Sequence, residues 1–75
     1  MNTYGNVAGN SGVYAYALGK DYIDVEFNSG RTYRYNREVT GRRNVRIMKR
    51  LAKAGQGLCR FITANVRDDY AAIVT

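Results

Sequence analysis

After Tyr35 the apolar residues of this chain stop recurring at every second position and begin recurring at every third or fourth, a switch that divides its 75 residues into a β half and an α half. Upstream, YIDVEF (Tyr22–Phe27) sets Ile23, Val25 and Phe27 against Tyr22, Asp24 and Glu26, the alternation of a strand with one buried face and a solvent face that carries both carboxylates. VYAYAL (Val13–Leu18) precedes it and stops at a Gly19-Lys20-Asp21 turn, while Asn28-Ser29-Gly30 joins it to RTYRY as a three-residue hairpin loop with glycine last. Three antiparallel strands in a meander follow. Downstream, Thr40 is placed to cap a helix over 41–54 that Gly55 ends in left-handed conformation. The apolar stretch LCRFIT needs cover without declaring its local structure. Asn65 then reads as the cap of a short C-terminal helix, with Asp68 and Asp69 in its first turn and Val66, Tyr70, Ile73 and Val74 on one face.

A three-stranded sheet must cover its apolar face, and the apolar side of the helix is the available cover. The expected fold is therefore α+β, of order βββαα, a single domain over 13–75 with Ile23, Val25, Phe27, Val45, Met48 and Leu51 buried. Residues 1–12, with Gly5, Gly9 and Gly12 and few apolar side chains to anchor them, are expected to form a flexible segment ahead of it. A chain of this length has no room for a deep catalytic cleft plus a second domain.

The helix carries half of the twelve basic residues. At about 100° per residue, Arg42, Arg43, Arg46, Lys49, Arg50 and Lys53 fall within an arc of roughly 120°, and Val45, Ile47, Met48, Leu51 and Ala52 fill the opposite side. No acidic residue interrupts that ring, so like charges repel without i,i+4 compensation. With a net charge of +6 and a pI of 9.8, the partners to consider are nucleic acid, anionic lipid and acidic protein surfaces. Membrane adsorption fits least, because the core claims the apolar side of the helix and that side lacks large aromatic anchors.

Other functions find little to stand on. One cysteine and no histidine exclude an intramolecular disulfide framework and the usual zinc sites, so no metal or cofactor is expected and a reduced, cytoplasmic setting fits. The Asn- and Gly-rich N-terminus lacks the basic and apolar regions of a signal peptide, and no apolar run reaches the roughly 18 to 20 residues that span a bilayer. Cys59 has no histidine to act as its base and reads as a small buried or half-buried hydrophobe. The six carboxylates form no catalytic set, and the chain is not expected to be an enzyme.

The order of these features resembles the KTSC domain, a small module named for its occurrence at the C-terminus of some lysyl-tRNA synthetases. Val25-Glu26-Phe27-Asn28-Ser29-Gly30 leading into Tyr33-Arg34-Tyr35 is similar to that family's V-x-F-x-S-G and Y-x-Y motifs, and Asn65-Val66-Arg67 with Tyr70 to its closing N-I-R-x-x-Y pattern. The resemblance implies a helix behind the Y-x-Y motif, as read above, and raises RNA as a partner.

Tyr33 and Tyr35 are two apart on one strand and share a face, with Arg34 on the other. Exposed, the two rings beside arginines would form a stacking platform for unpaired bases; turned toward the helix, they are core. Tyr14 and Tyr16 pose the same alternative on the first strand. Two functions remain. One is a module for RNA or another single-stranded nucleic acid, using the helix cations with Arg34, Tyr33 and Tyr35. The other is a protein-interaction module or a phage-encoded inhibitor, such as an anti-CRISPR protein, docking its basic surface onto an acidic protein or nucleoprotein partner.

Overall fold

The computed structural model describes residues 1–9 and 11–74. Its element order is β1 (Asn2–Thr3), β2 (Val13–Leu18), β3 (Tyr22–Phe27), β4 (Thr32–Asn36), α1 (Arg42–Ala54), α2 (Leu58–Phe61) and β5 (Ala72–Ile73), with a π-helical turn, Ile62–Val66, continuing directly from α2. The fold is α+β, and its sheet has five strands rather than three, each antiparallel to its chain neighbours in the order β1-β2-β3-β4-β5. The three central strands are the expected meander. The hairpin loop closes as its sequence requires: Gly30 sits at φ 94° and its N–H donates to the Phe27 carbonyl at 2.9 Å.

Register assigns the faces. Ile23 lies opposite Tyr35 and Val25 opposite Tyr33 on one side of the β3–β4 pair, while Asp24 faces Arg34 and Tyr22 faces Asn36 on the other. α1 packs over the first side, against β3 and β4. Ile23, Val25, Met48, Leu58 and Val66 are fully buried there, with Tyr35, Val45, Ala52 and Ile62 nearly so. Phe27 and Leu51, expected in this core, are only half-buried and pack against its rim.

Helix α1 begins at Gly41, not Thr40, as its cap. Thr40 is buried with its hydroxyl donating to the Asp69 carbonyl, a tie between the helix start and the C-terminal segment that leaves the cap without a side-chain acceptor. The far end is as expected. Gly55 adopts the left-handed conformation at φ 73°, ψ 23°, and its N–H reaches the Leu51 and Ala52 carbonyls. A Cβ there would also meet the Gly5 backbone at 3.0 Å, so the same glycine ends the helix and admits the N-terminal segment.

That segment is the main correction. It has the anchors it seemed to lack: β1 pairs with β2, the Val7 N–H donates to the Gly55 carbonyl at 2.7 Å, and Tyr4 is buried in the core. The Tyr4 hydroxyl accepts the Leu58 N–H at 3.2 Å, satisfying one of the donors that the first turn of α2 leaves without an intrahelical partner. Asn10, within the same segment, lies outside the described residues.

The C-terminal helix expected from Asn65 is also displaced. Helical structure starts at Leu58 and ends at Val66, so Asn65 stands near its last turn and donates its side-chain amide to the Phe61 carbonyl at 3.1 Å. LCRFIT is helix, and Leu58, Ile62 and Val66, four apart, supply the buried face. Beyond it the chain extends into β5, which pairs Ile73 with Tyr33 and Ala72 with Arg34, and leaves Ile73 and Val74 partly exposed.

Candidate nucleic-acid interface

The exposed side of α1 follows from which of its residues the core takes. Val45, Met48 and Ala52 are buried, while Ile47 and Leu51 are half-buried at the flank. Arg42, Arg43, Arg46, Arg50 and Lys53 point to solvent, and among the described residues none of the five has a carboxylate partner. The start of α1 has neither an acidic residue in its first turn nor a side-chain cap, so its free N–H groups add to the positive potential of Arg42 and Arg43.

Lys49 behaves differently from the other five. At about 60° from Arg46 on the helical wheel it borders Val45 and Ala52, and its ammonium donates to the Gly19 carbonyl at 2.6 Å and the Lys20 carbonyl at 3.1 Å. It clamps the β2–β3 turn onto the helix, and one of its three donors remains. A Cβ on Gly19 in that turn would fall 2.0 Å from the Tyr22 ring, so any larger residue there displaces the ring.

Arg34 is not part of this surface. It lies on the opposite side of the sheet, gripping Asp24 through Nε–Oδ1 at 2.8 Å and a second contact from its terminal nitrogen at 2.9 Å, with its guanidinium 4.0 Å from the centre of the Tyr22 ring. The hydrogen bond to Asp24 raises the Arg34 pKa further above its already high ordinary value. Asp24, expected free on the solvent face, is 8% exposed beneath this arginine.

Tyr33 and Tyr35 resolve toward the core. Tyr35 is 2% exposed; Tyr33 is half-buried and packs edge-to-face between Phe27, with centroids 5.7 Å apart, and Tyr70, at 4.7 Å. They form no open stacking platform. On β2 a register shift between Val13 and Ala15 separates the other pair, turning Tyr16 toward the core and leaving Tyr14 56% exposed. Burial, with the neighbouring Tyr33 and Tyr70 hydroxyls and Cys59, pushes the Tyr35 phenol far above its ordinary value of 10.0. The unfolded chain then releases this proton before the folded one does, so Tyr35 lowers stability only as pH rises above about 10. Alkaline denaturation should show that loss, and Tyr35→Phe should reduce it.

Cys59 is half-buried against the core, within 3.4 Å of where a Gly12 Cβ would stand. Among the described residues there is no cluster of three or more His, Cys, Asp or Glu side chains suited to a metal, and no helix long and apolar enough to cross a membrane. No protein-family model, curated protein or solved structure matches the chain. The resemblance to the KTSC domain therefore stands on the short motifs alone.

Beside α1 the surface is indented. A cleft of about 230 Å³ lies between the first two turns of the helix, the β2–β3 turn and the segment after β4. Lys20 and Arg37, which the charge pattern of the helix alone did not single out, join Arg42, Arg46 and Lys49 along its walls.

Proposed function

We propose that the protein binds nucleic acid, in single-stranded form and with RNA favoured, by laying the phosphate backbone along the outer side of α1. The observation that carries this reading is the set of five exposed cations, Arg42, Arg43, Arg46, Arg50 and Lys53, without carboxylate partners among the described residues, on a helix whose other side is committed to the core. Each phosphate neutralised by such a side chain releases condensed counterions, which favours binding without reading sequence. Lys49 contributes less than its charge implies, because two carbonyls already hold it. Arg34, Tyr33 and Tyr35 are structural in this reading. The preference for RNA comes from the KTSC resemblance rather than from a stacking surface.

The test is the salt dependence of binding to a labelled single-stranded RNA. With about four phosphates contacted, log K should fall with log salt at a slope near −3, from about −0.7 per contact, and should vary little with base sequence. Binding that ignores salt, or no binding at low salt, would sink the reading. Capture of a purified protein partner that survives nuclease and high salt, with no RNA affinity, would favour the interaction module instead.

A further inference from the structure

We propose that the cleft beside the start of α1 is a seat for a terminal phosphate group, and that the protein therefore holds the phosphorylated end of a strand more tightly than its interior. The inference rests on the nucleic-acid reading and adds Lys20 and Arg37, which that reading does not need. Five cations converge on the cleft from three separate stretches of chain: Lys20 from the β2–β3 turn, Arg37 from the segment after β4, and Arg42, Arg46 and Lys49 from α1. Asp21 is the one carboxylate along its walls.

The walls are fixed to one another. The Arg37 N–H donates to the Asp21 carbonyl at 3.1 Å, and the Lys49 ammonium bridges the Gly19 and Lys20 carbonyls. The backbone that carries the cations is thus held in place, and the Lys20, Arg37, Arg42 and Arg46 side chains reach the cleft from it as exposed groups. Arg37 has an exposed neighbour, Glu38, at 3.5 Å, a long contact that a phosphate can displace.

Size and charge select the occupant. At about 230 Å³ the cleft is smaller than the roughly 300–1,000 Å³ of pockets that bury a whole small molecule. It admits a phosphoryl group and leaves the rest of a nucleotide at the mouth. A terminal phosphomonoester brings a charge of about −1.5 to −2 and three acceptor oxygens, whereas an internal phosphodiester brings a single charge and is tethered on both sides. Three arginines, Arg37, Arg42 and Arg46, offering forked donors suit the former.

The experiment compares one single-stranded RNA in three forms, 5′-phosphorylated, 3′-phosphorylated and unphosphorylated, with inorganic diphosphate as a free competitor. A phosphorylated end should tighten binding by about tenfold, and diphosphate should remove that advantage. Lys20→Ala with Arg37→Ala should erase the difference while leaving the unphosphorylated RNA bound as before, because neither residue lies on α1. Arg43→Ala with Arg50→Ala should weaken all three forms alike and keep the ratio. Equal affinity for the three forms, with binding intact, overturns the end-phosphate seat and spares the nucleic-acid reading. If no RNA binds but diphosphate does, in a manner that requires Lys20 and Arg37, the seat stands for a free phosphate compound and the nucleic-acid reading falls. Binding of neither removes both.

Discussion

Reversing Arg46 and Arg50 together to glutamate should lower the affinity for single-stranded RNA about a hundredfold at physiological salt. Two phosphate contacts are lost and two repulsions gained, and each neutralised charge carries about 0.7 of a unit in the salt exponent. The difference between variant and parent should shrink as salt rises. Folding should be unaffected to within about 0.5 kcal/mol, since both side chains are exposed and unpaired with carboxylates among the described residues. Fluorescence anisotropy for binding and urea denaturation for stability separate the two readouts. If the double reversal binds RNA as well as the parent does, the helix face is only a solvated surface.

Tyr4→Ala should unfold the protein or leave it only marginally folded. Removing a large buried aromatic costs about 3–5 kcal/mol, and a domain of this size rarely holds more than about 3–5 kcal/mol in its core. Tyr4→Phe isolates the polar part of the role. It keeps the ring in place and takes away the acceptor of the Leu58 N–H, a cost of about 1–3 kcal/mol. Chemical denaturation of the two variants tests the sequence of effects. A Tyr4→Ala protein as stable as the parent would mean that the N-terminal segment is not part of the core in solution.

What sequence reasoning recovered depended on periodicity. β3 and α1 repeat their apolar spacing over enough residues to declare type and buried side, β2 and β4 declare type alone, and Ile23, Val25, Val45 and Met48 fall where that spacing puts them. Tyr4 could not be found this way. It is one aromatic in a run of Asn and Gly, and its burial depends on a backbone approach to Gly55, fifty residues on. The end of the chain misled for a related reason: Asn65 followed by acidic residues is a local cap signal, but the helical face of Leu58, Ile62 and Val66 begins about two turns earlier, and tertiary burial outweighed the cap signal. At the candidate site the cations of α1 were legible because a helix converts spacing into a face. Lys20 and Arg37 were not, because only the fold brings the β2–β3 turn and the segment after β4 together beside Arg42 and Arg46.

The two-residue outer strands bear on what this protein does when it fails. β2 reads VYAYAL, six uncharged, β-prone residues without proline or glycine, the composition of a segment that recruits copies of itself. Its free edge is occupied by Asn2 and Thr3, with the Tyr4 N–H bonded to the Tyr14 carbonyl at 2.9 Å. Proteolytic trimming of the first few residues, or any lesion that lifts them, uncovers that edge along with the socket left by Tyr4. Truncated material should accordingly turn up as intermolecular β-aggregate, and the yield of intact, monodisperse protein would depend on keeping its first four residues.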